Sequence, residues 1–196
     1  MKKATYFLQA TVMMTMFLVS IGAKAQTQKS GVYLTYADFQ KDSLSYGVDC
    51  GKEKHRIRLE DFFNRKFITV IHRGKKVRVQ KSVIYGVLYC DGSLQRFSGK
   101  QHYRLEEQGN VWIFSQEFTV SQGRGGIQRG KRFFFSNTGG GAIQPLTLLN
   151  LKNAFPARHD LHDELSVWFK NDAELSVYDG YHKAYKINRF LEKFIQ

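Results

Sequence analysis

Cysteine and proline are both scarce in this chain: 196 residues contain two of each, and both prolines, Pro145 and Pro156, come late. So few cysteines exclude a disulfide-dense miniprotein, and so little proline excludes a collagen-like fibre. Acidic side chains are scarce as well, with 17 Asp+Glu against 30 Lys+Arg and a formal net charge of +13. There is one long apolar run, at the very start, which excludes a polytopic membrane protein. Sequence signatures of catalysis are missing too: there is no G-x-S-x-G elbow, no H-E-x-x-H helix, no Walker loop and no dinucleotide fingerprint. The composition that remains, 42% hydrophobic and 24% charged, is ordinary for a globular chain and unlike a disordered polyelectrolyte.

The start of the chain reads as an address. Met1-Lys2-Lys3 is basic, residues 6–22 are largely apolar and uncharged, and Ala23-Lys24-Ala25 offers small residues at the −3 and −1 positions of a cleavage site. This order predicts a secretory signal peptide over 1–25 and a processed chain in the periplasm or outside the cell, with no transmembrane segment after cleavage. In an oxidising compartment Cys50 and Cys90 are a disulfide candidate, closing a loop that stabilises by about 4 kcal/mol at most. The alternative is two separately buried thiols.

Residues 26–144 hold no proline and many short runs of Val, Ile, Tyr and Phe punctuated by Gly. Strands are predicted over 44–49, 55–59, 67–72, 76–80, 83–89, 94–98, 102–106, 111–120 and 131–136, a spacing that reads as an antiparallel sheet, barrel or sandwich. Thr35 and Asp38 form a capping-box pattern opening a short helix near 36–41. Residues 145–196 read as helical, with Thr147 capping 148–154, a second helix over about 158–170 and a third over about 179–195. The expected class is α+β: an N-terminal antiparallel β sheet or barrel-like body followed by a C-terminal three-helix segment packed on it as one folded unit.

The charge is unevenly spread. Residues 26–144 carry 20 basic and 10 acidic side chains, while 145–196 carry 7 of each. Such asymmetry points to an anionic partner for the β region. Strand alternation puts Arg56 and Arg58 on one face, and likewise Lys76 and Arg78; Lys54 continues the first series. A second cluster, Arg124, Arg129, Lys131 and Arg132, reads as a glycine-rich hairpin tip between aromatic strands. The partners this chemistry suits are an acidic glycan, a lipid head group or an acidic protein, while export argues against intracellular nucleic acid. The bland alternative is a solvated sheet face whose edge charges prevent aggregation.

Three histidines, His159, His162 and His182, are the alternative source of chemistry, as ligands of a metal-dependent hydrolase if the helices converge. Without convergence no metal or other cofactor is implied. Glu106 and Glu107 are adjacent on a strand and so point to opposite faces, poor geometry for paired acid–base work. In Phe133-Phe134-Phe135 at least one ring must face away from its neighbours, either packing under the helices or marking a contact surface for an envelope assembly. The sequence thus reads as a binding or accessory module before it reads as an enzyme.

Three stretches carry a resemblance. Gly31-Val32-Tyr33-Leu34-Thr35 with Asp38-Phe39, Ile84-Tyr85-Gly86-Val87 with Cys90-Asp91-Gly92 and Arg96-Phe97, and the run from Leu146 to Pro156 ahead of His162-Asp163 and His182-Lys183 follow one another in this order. The chain resembles a family of small exported Bacteroidota proteins of unknown function. The resemblance implies export and a shared fold, and no activity, ligand or site residue.

Overall fold

The structure, a computed structural model, describes residues 28–53, 56–60, 65–121 and 126–195. The expected signal peptide, Lys54 and Arg124 lie outside the described residues. The fold is α+β. Eight strands form one antiparallel sheet: β1 (Lys29–Tyr33), β2 (Ser45–Asp49), β6 (Gly86–Leu88), β7 (Leu94–Ser98), β8 (Gln101–Gln108), β9 (Trp112–Ser121), β10 (Ile127–Ser136) and β11 (Gln144–Pro145). Their order is β11-β10-β9-β8-β7-β6-β1-β2, a meander from β6 to β11 with β1 inserted between β2 and β6. The sheet is open, not a barrel. One edge is the two-residue β11, where Pro145 has no N–H to offer a further strand.

Between β2 and β6 the chain leaves to build a separate sheet, β3 (Arg56–Arg58), β4 (Phe67–His72) and β5 (Lys75–Gln80), with β4 in the middle. The β4–β5 turn is two residues long, and Arg73 (φ 49°) and Gly74 (φ 75°) both adopt the left-handed region that a type I′ hairpin turn requires. Helix α1 (Tyr36–Gln40) has the predicted capping box, with Thr35 Oγ1 accepting from Asp38 N and Asp38 accepting from Thr35 N.

The helical part departs from expectation. It contains α2 (Leu148–Ala154), α3 (His159–Trp168), α4 (Asp172–Leu175) and α5 (Lys186–Leu191), with a small hairpin, β12 (Tyr178–Asp179) and β13 (Ala184–Tyr185), before α5. The predicted third helix over 179–195 is therefore mostly wrong. Asp179 accepts from the backbone N–H of Tyr181 and His182 and so makes a turn, and Lys183 sits at φ 54°.

Cross-strand register shows how the layers meet. Val32, Val87, Gln95, Arg104, Ser115 and Phe133 are successive partners across β1, β6, β7, β8, β9 and β10, so they share one face of the large sheet. The small sheet covers the β1 end of that face, where Val32, Val87 and Phe97 pack with Ile68, Val70 and Val79. The helices cover the β10 end, where Ile113 and Phe135 pack with Leu151, Leu161, Leu165 and Ile187. The opposite face is closed by α1 and the 138–141 loop. There Arg96 is 6% exposed, with its guanidinium over Tyr85 and Phe114 and donating to Ser136 Oγ and the Gly141 carbonyl. Burial pushes its pKa down and that of Tyr85 up to about 12.

Phe133 and Phe135 lie under the helices and Phe134 meets Tyr103 edge-on at 4.8 Å on the other face. The triplet is packed on both faces, with Phe135 buried and Phe133 and Phe134 half-buried. Cys50 and Cys90 form a disulfide with Cα atoms 5.8 Å apart, tying the ends of β2 and β6 across the β1 that runs between them. Among the described residues no helix is long and apolar enough to cross a membrane.

Candidate anion-binding trough

Beside the small sheet, part of the shared face is left open. The floor of this opening is the middle of the large sheet. A hollow of about 490 Å³ lies there, lined by Gln95, Lys100, His102, Arg104, Ser115 and Glu117 among others, with Lys81 on its wall. A second hollow of about 560 Å³ runs past Arg65, Lys66, Phe67 and Gln80. Lys81 and Lys100 line both hollows, which makes them one trough. Five cations, Arg65, Lys66, Lys81, Lys100 and Arg104, stand along it.

Each arrives for a local reason. Lys100, His102 and Arg104 alternate on β8 and its preceding turn, so they project to the same side. That turn is two residues long, Ser98 pairing with Gln101, and Gly99 at φ 61° supplies its left-handed corner. Lys81 begins a 3₁₀ turn after β5, is 2% exposed, and has its N–H held by the Lys66 carbonyl at 2.8 Å. Of the nearby amides, Gln95 shares this face, while alternation turns the side chains of Gln101 and Gln116 to the other. Gln116 Nε2 donates to Gln101 Oε1 (3.0 Å), and Gln95 Oε1 stands 3.2 Å from His102 Nδ1.

Carboxylates are few in the trough. Glu117 lines the first hollow, and Glu60 is 3.9 Å from Arg65. Glu106 is engaged below, accepting from Ser115 Oγ at 2.5 Å and pairing with Lys131 at 3.2 Å. In the helical part Asp160 pairs with Arg158 and Asp179 with His182 and Arg189, which holds both carboxyls below the usual range. They do not neutralise the trough.

The sequence-derived cations fall in two places. Arg56 and Lys76 both flank Ile71, and Arg58 and Arg78 both flank Thr69, so the four share the exposed face of the small sheet, with β4 between their strands. Arg78 and Arg65 both lie over the Phe67 ring, at 4.8 Å and 5.9 Å, and Phe67 lines the trough, so this face runs on into it. The second cluster does not hold together. Alternation on β10 sends Arg129 and Lys131 to one face and Arg132 to the other, where it lies 4.6 Å over Phe118.

Two further expectations are corrected here. The register slips between Leu105 and Glu107, and this bulge turns Glu106 and Glu107 to the same, helix-bearing face. Glu107 accepts from Tyr185 N (2.6 Å) and Asn188 Nδ2 (2.9 Å), so the pair is structural. The histidines do not converge either. His162 Nε2 lies 3.0 Å and 2.9 Å from the carbonyls of Lys152 and Phe155 at the end of α2, and His182 Nδ1 lies 2.7 Å from Asp179. His159 meets His162 edge-on with ring centres 5.9 Å apart. Among the described residues no group of three His, Cys, Asp or Glu is placed to hold a metal ion.

Arg65, Lys66, Lys81, Lys100 and Arg104 are not singled out in the sequence. The Lys100, His102, Arg104 alternation was a readable signal; the approach of Lys66 and Lys81 to it was not, because it depends on how the two sheets stack. Comparison with known protein families, with curated proteins and with solved structures found no match.

Proposed function

We propose that the chain is an exported, non-enzymatic binding module that holds a linear acidic glycan along the trough. The observation that carries this reading is the continuity of the two hollows through Lys81 and Lys100. A groove of that form accommodates a chain with several charges better than a single anion. Cations supply charge-assisted hydrogen bonds to carboxylate or sulfate groups, and the amide of Gln95 suits hydroxyls. A membrane surface is flatter than a trough, and an acidic protein would need a projecting segment to enter it. Export rests on the reading of residues 1–25 and agrees with the disulfide.

The test is retention of the oxidised, processed protein on immobilised polygalacturonate or heparin during a sodium chloride gradient. Retention at low salt that falls as salt rises is expected. The Lys100→Gln/Arg104→Gln variant should bind about tenfold more weakly, the loss of roughly one charge-assisted contact. A charge-matched Lys41→Gln/Lys52→Gln variant, altered outside the trough, should elute with the parent. Equal weakening of both variants would reduce the trough to diffuse charge, and no retention at low salt would end the reading.

A further inference from the structure

A second hollow of different chemistry lies at the end of α3, apart from the trough. It encloses about 280 Å³ and is walled by Trp168, Phe190, Glu174, Asp179, Lys186 and Lys193, with Phe169 and Arg189 beside them. Trp168, the last residue of α3, is 52% exposed, unusual for so large a ring, and tilts against Phe190 at 5.8 Å. Phe190 in turn meets Phe169 edge-on at 5.5 Å, so the aromatic wall is braced from behind. Lys193 Nζ stands 3.9 Å from the centre of the Trp168 ring, which holds the ammonium at the rim.

The charges around this hollow are unequally committed. Glu174 accepts from the backbone N–H of Lys170 and from Asn171 Nδ2. Asp179 accepts from His182, from two backbone N–H groups and from Arg189. Arg189 is balanced by Asp179. Among the described residues, no ion pair holds Lys186 or Lys193. The hollow therefore combines an apolar wall, two ammonium groups with no ion-pair partner among the described residues, of which Lys193 rests on Trp168, and carboxylate oxygens that can accept from hydroxyls. Small-molecule sites have this form: apolar lining with a few convergent polar groups.

We propose that this hollow binds one carboxylated sugar ring, a free or chain-terminal uronic acid. The ring's C–H face lies against the exposed Trp168 ring, which the buried Phe190 backs, its carboxylate takes Lys186 and Lys193, and its hydroxyls donate to Glu174. A neutral sugar leaves the ammonium groups unanswered. An aromatic acid leaves the carboxylate side of the hollow facing no donor. The volume holds one ring and not a chain, which separates this site from the trough.

The experiment is titration calorimetry of the oxidised protein with glucuronate, glucose and benzoate, beside tryptophan fluorescence. The chain has two tryptophans, and Trp112 is packed among Tyr36, Phe39 and Phe114 on the far face of the sheet, so a ligand-induced change reports Trp168. Saturable glucuronate binding with a fluorescence change is expected, weakened about tenfold for glucose and for benzoate, and by a similar factor in Lys186→Met/Lys193→Met. Both lysines are exposed, and circular dichroism of the variant checks that it folds. The Lys100→Gln/Arg104→Gln variant should bind glucuronate as the parent does; if it does not, the sugar sits in the trough and the proposal fails while the trough stands. Glucose or benzoate binding as well as glucuronate, or no saturable binding at all, would also overturn it.

Discussion

Replacing Cys50 and Cys90 together with serine is expected to lower the stability of the folded chain by about 4 kcal/mol, the loop-entropy value for a cross-link across some forty residues. The bond spans a sequence separation of 40 and joins the ends of β2 and β6. β2 is an edge strand, paired to β1 alone within the large sheet, and β1 follows directly on the undescribed start of the chain. Without the bond, β1 and β2 are held by their ladder, by Val32 in the core, and by small contacts such as Cys50 N to the Gln28 carbonyl. Urea unfolding of the oxidised parent, the reduced parent and the double-serine variant provides the measurement. The reduced parent and the variant should share a lowered midpoint. Midpoints equal to the oxidised parent would mean that the sheet alone fixes this edge.

Asn188→Ala is expected to cost about 3 kcal/mol, because several buried groups lose a hydrogen-bond partner at once. Asn188 is 2% exposed. Its Oδ1 accepts from Val111 N at 2.9 Å, and its Nδ2 donates to the Val111 carbonyl at 3.0 Å and to Glu107 Oε1 at 2.9 Å. This one amide fastens α5 to the turn between β8 and β9. Gly109 in that turn has no room for a side chain, since a Cβ there would lie 2.4 Å from Asn188 Nδ2. Gly109→Ala should therefore be destabilising in the parent and nearly neutral on top of Asn188→Ala, a strongly non-additive cycle. Thermal denaturation of the two single variants and the double variant decides it, and additive effects would show that Asn188 does not occupy the turn in solution.

Much of the sheet could be read from the sequence because its strands alternate cleanly and its turns carry Gly where a left-handed residue is needed. Strands β4, β5, β7, β8 and β9 fall within a few residues of their predicted bounds. β1 was missed because Lys-Ser-Gly-Val-Tyr has too little alternation to declare itself. Its Gly31 is there for close approach: a Cβ would come within 3.1 Å of Gly47 Cα on β2. The segment 179–195 misled for the opposite reason. Tyr181, Tyr185, Phe190 and Phe194 fall at nearly helical spacing, yet Asp179-Gly180 is a turn signal that outweighs the stripe. Of the trough, the sequence showed the excess of positive charge and the face of Arg56, Arg58, Lys76 and Arg78. It did not show where the cations become concave, because the depression exists only where the small sheet leaves part of the large one open. The bulge at Glu106 was equally invisible, since one extra residue in a strand leaves no mark on composition.

Arg96 behind the sheet has a practical consequence. Its guanidinium is held by ring faces, a serine hydroxyl and a backbone carbonyl, with no carboxylate among these contacts. Dissolved electrolyte weakens attraction between opposite charges far more than it weakens contacts with neutral dipoles and aromatic rings. The fastening of the 138–141 loop is thus built from interactions that brine leaves intact. If the trough holds a polyanion as proposed, ionic strength acts on its occupancy from one side of the sheet while this fastening on the other side keeps its shape.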